Sequence, residues 1–151
     1  MQNEKINPEQ AHTTLMIVWF ALVMSQLLFL VILYFIKPGL FRFDLTQPLL
    51  GENAVVVGAL AAISIVNLVT SFTLRKRYIG QAIATGSIAM VQSALIVGCA
   101  LCESISLFGL LLGFAFDYPY FFAFSIVGIA GTLLHFPRRG DLDAASFKPG
   151  L

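Results

Sequence analysis

Residues 83–116 read IATGSIAMVQSALIVGCALCESISLFGLLLGFAF, with Glu103 as the single charged side chain. An α-helix rises about 1.5 Å per residue, so about 20 apolar residues cross a hydrocarbon core of roughly 30 Å with every backbone polar group satisfied internally. This run predicts a membrane-spanning helix. It is longer than one crossing needs, and two registers are open. If the hydrocarbon core ends just before Asp117, Glu103 lies roughly 20 Å from the outer boundary, deep in the membrane. If the crossing begins near Ala84, Glu103 approaches the outer edge.

Three further runs meet the criterion: Leu15–Ile36, Ala54–Leu74 and Tyr120–Phe136. The expected fold is an all-α integral membrane domain of four transmembrane helices over residues 15–136. A polar segment, 1–14, precedes it, and a flexible tail, 137–151, rich in Gly, Pro and charge, follows. With 58% apolar and 11% charged residues, the chain lies outside the range of water-soluble domains. Its net charge of +1 comes from basic clusters that alternate between loops, which argues against a nucleic-acid partner. The first apolar run is longer than a leader core and lacks a small-residue cleavage site before Lys37, so it reads as an uncleaved anchor.

Basic residues orient the spans. Lys5, Arg75, Lys76, Arg77, Arg138, Arg139 and Lys148 fall on the side shared by both ends and the loop between helices two and three; Lys37 and Arg42 fall on the other. The positive-inside rule places both termini on the cytoplasmic side of a plasma (inner) membrane. The outer loop, with Leu40, Phe41, Phe43, Leu45, Leu49 and Leu50 among Arg42, Asp44 and Glu52, suits a strip resting on the bilayer surface or docking a partner. Tyr118, Tyr120, Phe121 and Phe122 stand where an interfacial aromatic belt is expected.

Helices one and three match at an offset of 79. Ile17, Val18, Ala21, Leu22, Ser25, Leu28, Phe29 and Leu33 are identical to Ile96, Val97, Ala100, Leu101, Ser104, Leu107, Phe108 and Leu112, and Met24 stands in the place of Glu103. Either a restricted membrane alphabet or duplication of a two-helix unit produces such matches; duplication would give a parallel repeat, as in membrane transport proteins. Small residues at four-residue spacing let helices approach closely in lipid. Ala94, Gly98, Cys102 and Ser106 on helix three, with Ala54, Gly58 and Ala62 on helix two, predict that these two helices pack through both stripes.

An ionised carboxylate at mid-bilayer costs at least about 2.5 kcal/mol, which makes Glu103 the leading functional candidate. In the deeper register Asn67 falls at a similar level and can reach it.

The run Ala100-Leu101-Cys102-Glu103-Ser104-Ile105-Ser106-Leu107-Phe108-Gly109-Leu110 resembles the carboxylate helix of the proteolipid, or c, subunits of rotary ATP synthases and ATPases. There a small residue and Leu precede the essential Glu by three and two positions, and an aromatic, Gly and Leu follow it. The likeness covers residues 54–116, including a hairpin whose polar loop faces the cytoplasm. It implies that Glu103 is an ion-carrying carboxylate, neutral when protonated in lipid, within an oligomer or with other membrane subunits. By the same resemblance Ser104 and Asn67 complete the ion site, Asn67 standing in for a glutamine. Phe108 lacks the phenol oxygen of sodium-binding members, so the implied ion is a proton. Helix two has fewer glycines than the family's partner helix, and helices one and four are additional.

Cys99-Ala100-Leu101-Cys102 has the spacing of a thiol oxidoreductase pair, but no second pair exists to relay electrons, and two buried apolar thiols explain it as well. His12 and His135, expected near the inner surface, complete no metal site with the cysteines. No phosphate loop, zinc-protease pair or nucleophile elbow occurs, and no cofactor is expected. The readings carried forward are a proton-binding membrane subunit, an accessory or scaffold subunit of a larger membrane complex, and, more distantly, a membrane thiol oxidoreductase.

Overall fold

The computed structural model describes residues 8–42 and 46–146. Lys5, Phe43, Asp44, Leu45 and Lys148, used above, lie outside the described residues. Within them the chain is all-helical: α1 (Pro8–Ile36), a 3₁₀ turn (Pro38–Phe41), α2 (Ala54–Thr85), α3 (Ile88–Phe116), α4 (Phe121–Leu134) and α5 (Arg139–Ser146). By length and composition α1, α2 and α3 can each cross a membrane, and a fourth crossing results if α4 and α5, bent by 44°, count as one span. Pro137, which lacks the N–H a continuing helix needs, stands at that bend.

The overlong third run divides at Gly86. Gly86 takes a left-handed conformation (φ 66°) as the C-cap of α2, and the Ser87 N–H returns to the Ala82 carbonyl. Only a residue without Cβ adopts this conformation cheaply. Residues 83–85 therefore belong to α2, and Glu103 stands 15 residues after Ile88 and 13 before Phe116, at the middle of α3.

α3 is the central helix, packed on α2, α4 and α1, whereas α1 and α2 scarcely meet. The small residues of α3 face a different partner from the one their spacing suggests. A Cβ on Gly128 of α4 would lie 2.7 Å from the Cys102 carbonyl oxygen and 2.9 Å from the Ser106 nitrogen, and one on Gly131 would lie 2.7 Å from Cys102 Sγ. The stripe of Cys102 and Ser106 is thus the seam with α4, because the two α4 glycines allow backbone-to-backbone approach. Gly98 is covered by the His135 ring, and Ala94 is buried. On α2, Gly58 and Ala62 are exposed, with nothing within 4 Å of a Cβ at Gly58. The buried line of α2 is instead Val57, Ser64 and Ser71, a seven-residue spacing that suits packing along α3.

The stretch predicted as a flexible tail folds through residue 146. α5 is amphipathic, and its fully buried Leu142 and Ala145 join Ala11 and Leu15 of α1, Ala82 of α2, and Val91, Leu95 and Cys99 of α3 in one apolar cluster. Arg75 fixes the corner above it. Its guanidinium donates to the Leu134 and Phe136 carbonyls, each at 3.1 Å, and pairs with Asp141 at 3.5 Å. Two orphan carbonyls at the end of α4 are thereby satisfied. Arg75→Ala is expected to cost about 1–2 kcal/mol, felt locally, with hydrogen exchange in α5 accelerating severalfold more than in α2. Equal exchange in the two proteins would disprove the clamp.

At the opposite end Lys37 Nζ lies 2.6 Å from Asp117 Oδ1, tying the ends of α1 and α3. Tyr118 and Tyr120 donate to the backbone carbonyls of Leu49 and Gln47, holding residues 47–49 against the turn between α3 and α4. Burial, then the neighbouring Tyr120, pushes the Tyr118 phenol up from its ordinary value.

Candidate functional site: a mid-helix carboxyl group

Glu103 occupies the surface of α3 left open between α1 and α2. Ile96, Ala100, Leu107 and Leu111, on the same face, are exposed, and Glu103 itself is half-buried. Its partner is Ser25 of α1, whose Oγ lies 2.5 Å from Glu103 Oε1. Asn67 does not hydrogen-bond the acid as the deeper register suggested. Its Nδ2 donates to Ser104 Oγ at 2.8 Å, and Ser104 in turn donates to the Leu101 carbonyl at 2.7 Å. Asn67 and Ser104 are thus brought together, beside Glu103 rather than on it, because neighbouring helix positions point about 100° apart.

Hydrogen counting defines what the pair can do. A serine hydroxyl has one hydrogen and two acceptor lone pairs. Ser25 Oγ lies within hydrogen-bond reach of both Glu103 and the Leu22 carbonyl oxygen, 2.9 Å away. When Ser25 donates to Leu22, the proton between Ser25 and Glu103 belongs to Glu103. When Glu103 is ionised, the serine hydrogen turns to the carboxylate and leaves Leu22 to its helical N–H partner. Both protonation states are hydrogen-bonded without movement of a heavy atom.

Ser25 and Ser104, which match in the 79-residue alignment, make the same bond to the carbonyl three residues earlier, at the matched pair Leu22 and Leu101. α1 and α3 lie side by side in one direction. Ser25 meets Glu103, Gln26 meets Ser106, Leu33 meets Gly113 and Lys37 meets Asp117, at separations of 78 to 80 residues.

Behind the open face, a buried polar cluster links three helices. Gln26 of α1 is fully buried: Ser106 of α3 donates to its Oε1 at 2.7 Å, and its Nε2 donates to Thr132 Oγ1 of α4 at 2.7 Å and to the Leu22 carbonyl at 3.3 Å. Trp19 Nε1 donates to the Thr132 carbonyl at 2.8 Å. Interhelical hydrogen bonds in lipid average about 0.6 kcal/mol and reach about 1.7. Gln26→Leu, which keeps the volume and removes both bridges, is expected to cost about 1–2 kcal/mol in unfolding from mild detergent. Gln26→Glu should be worse, because it adds a buried charge; a Gln26→Leu chain as stable as the parent would refute the cluster's role.

His135 is fully buried rather than interfacial. Nδ1 donates to the Gly131 carbonyl at 2.7 Å, the ring lies 4.6 Å from Phe72, and Nε2 has no hydrogen-bond partner. Cys99 and Cys102 are free and buried, and the Cys102 thiol lies 3.6 Å from Ser71 Oγ. Among the described residues no three His, Cys, Asp or Glu side chains converge as metal ligands.

Gln26 and Thr132 are polar residues that sequence reasoning passed over, while Ser25 entered it only through the repeat and His135 only as an interfacial residue. Gln26 carried a signal: an amide inside an apolar span must find a partner, by the same argument that singled out Glu103. No family model, curated protein or solved structure matches the chain.

Proposed function

We propose that the protein is a small four-span membrane subunit that acts in an oligomer or an ion-translocating complex, with Glu103 as its proton-carrying carboxyl group. In this reading both termini face the cytoplasm across a plasma (inner) membrane. The Glu103–Ser25 pair carries the proposal, since it accommodates the protonated and ionised acid in one heavy-atom arrangement. A group that only braced the bundle would need neither its half-exposed position nor its opening between α1 and α2.

The same reading assigns a depth. Trp19, Arg75 and Phe136 lie at one level, joined by the contact of Trp19 with Phe136 and by the bond of Arg75 to the Phe136 carbonyl. Lys37, Asp117 and the two tyrosines mark the other. The apolar part of α2 between these levels, Ala54–Leu74, is about 30 Å long, the thickness of a hydrocarbon core. Glu103 then falls about 20 Å from the outer boundary. α5 and the inner ends of α1, α2 and α3 form a cap on the cytoplasmic side, so in this reading α4 with its flanking turns, residues 120–136 and about 25 Å long, makes the fourth crossing without α5.

A hydrophobic carbodiimide, which reacts with protonated carboxyl groups in lipid, tests the proposal. Glu103 should be modified in the membrane-embedded protein, with the modified residue identified by peptide mass analysis. An unmodified Glu103 would rule the proposal out and leave the accessory-subunit reading, for which Glu103→Gln changes nothing and partner co-purification is the readout.

A further inference from the structure

A second site lies on the far side of α3 from the carboxyl group. α2 and α4 both pack on α3 but touch each other little, and between them runs an open groove of about 190 Å³. Ala61, Ile65 and Leu68 of α2 and Ala123 and Val127 of α4 form its walls, and Ile105 of α3 its floor. At the Arg75 end the same helix pair becomes strongly basic. The clamp of Arg75 on the Leu134 and Phe136 carbonyls brings the run Arg75-Lys76-Arg77 against Pro137-Arg138-Arg139, two clusters more than 60 residues apart in sequence. Lys76, Arg77, Arg138 and Arg139 are exposed there; of the acids nearby, Asp141 is paired with Arg75, and Glu9 and Asp143 line a hollow with Arg139, so the cluster stays net positive, five cations with Arg75 to three acids. Along α2 the positions 61, 65, 68, 72 and 75/76 repeat at helical spacing, so one face leads from groove to cations.

We propose that this face binds one anionic phospholipid, with its phosphate among Lys76, Arg138 and Arg139 and one acyl chain in the α2–α4 groove. Charge complementarity selects the headgroup, because basic clusters between transmembrane helices attract anionic lipids by about 1 kcal/mol per cation, roughly a fivefold preference each. The groove selects a lipid over a soluble phosphate, since a free anion gains nothing from an aliphatic groove that lies about two helical turns along α2 from Lys76, within reach of an acyl chain. The site is independent of the chemistry at Glu103.

The test uses the full chain reconstituted in phosphatidylcholine vesicles containing a minor fraction of phosphatidylglycerol, with bound lipid read by native mass measurement after gentle detergent extraction. The parent protein should retain phosphatidylglycerol in preference to phosphatidylcholine. The combined Lys76→Gln, Arg138→Gln, Arg139→Gln protein should lose that preference by more than tenfold, and Ala123→Leu, which narrows the groove with all cations intact, should lower retention severalfold. Equal retention of both lipids overturns the proposal. So does an Ala123→Leu protein that binds as before, because the lipid is then adsorbed by surface charge alone, and so does displacement of phosphatidylglycerol by millimolar inorganic phosphate. If the triple variant does not fold, the single Lys76→Gln protein, altered at an exposed surface position, should lose the preference about fivefold, and an unchanged preference refutes the site.

Discussion

Glu103→Gln should abolish reaction with a hydrophobic carbodiimide, and Ser25→Ala should accelerate it. The reagent attacks a protonated carboxyl group, and glutamine supplies none, so the first result is all-or-none. The second depends on geometry. Ser25 Oγ is the side-chain partner of the acid, 2.5 Å away, and removing it frees a carboxyl group otherwise held in a hydrogen bond worth about 1 kcal/mol, a rate factor of about five. Ser104→Ala is the matched control. Ser104 follows Glu103 in sequence, yet its hydroxyl is engaged with Asn67 and Leu101, and its removal should leave the rate within about twofold. If Ser25→Ala and Ser104→Ala behave alike, the pairing across α1 and α3 is absent in the membrane.

Gly128→Val is expected to be the most damaging single substitution in the bundle, costing about 3 kcal/mol or more in detergent unfolding. The first atom of any side chain at this position would meet the Cys102 carbonyl at 2.7 Å and the Ser106 nitrogen at 2.9 Å. Both are backbone atoms of the central helix, so neither can rotate away, and relief requires α4 to move off α3. Such movement would also part Thr132 from Gln26 and open the polar cluster. Gly58→Val should be almost silent in the isolated chain, since nothing lies within 4 Å of its Cβ position and valine is at least as good a helix former as glycine. If Gly58→Val proves the more damaging in native membranes while remaining neutral in detergent, the exposed Gly58–Ala62 face is a contact with another subunit. Comparable losses for both variants in detergent would contradict the assigned α3–α4 seam.

The helical runs and the isolation of Glu103 within one of them are legible in the chain because each depends on one residue type in one solvent. Apolar length alone picks out α1, α2 and α3, and a lone acid in an apolar run stands out with no knowledge of its neighbours. The limits of that reading are equally specific. The expectation that α2 and α3 pack closely holds, but the closest approach at the α3 stripe is to the α4 glycines rather than to Gly58 and Ala62 of α2, because spacing describes one helix face and says nothing of which of three neighbours covers it. The third span looked ambiguous because Gly86 sits in an apolar context, and only its left-handed backbone reveals a helix end. The tail looked mobile because its Gly and charges were read without Leu142 and Ala145, whose burial depends on the surfaces of three other helices.

The sequence by itself determined that this is a helical chain with runs suited to lipid, and that one carboxyl group lies within them, since hydrophobic length and isolated charge are local quantities. Tertiary structure decided the rest: that Ser25, 78 positions away, is the hydrogen-bond partner of Glu103, that Gln26 bridges three helices, and that α4 glycines meet Cys102 and Ser106 of α3. Hydrogen bonds act over about 3 Å and close packing over less than 4 Å, so which groups meet depends on the rotation and level of each helix against its neighbours. No window along the chain contains that information.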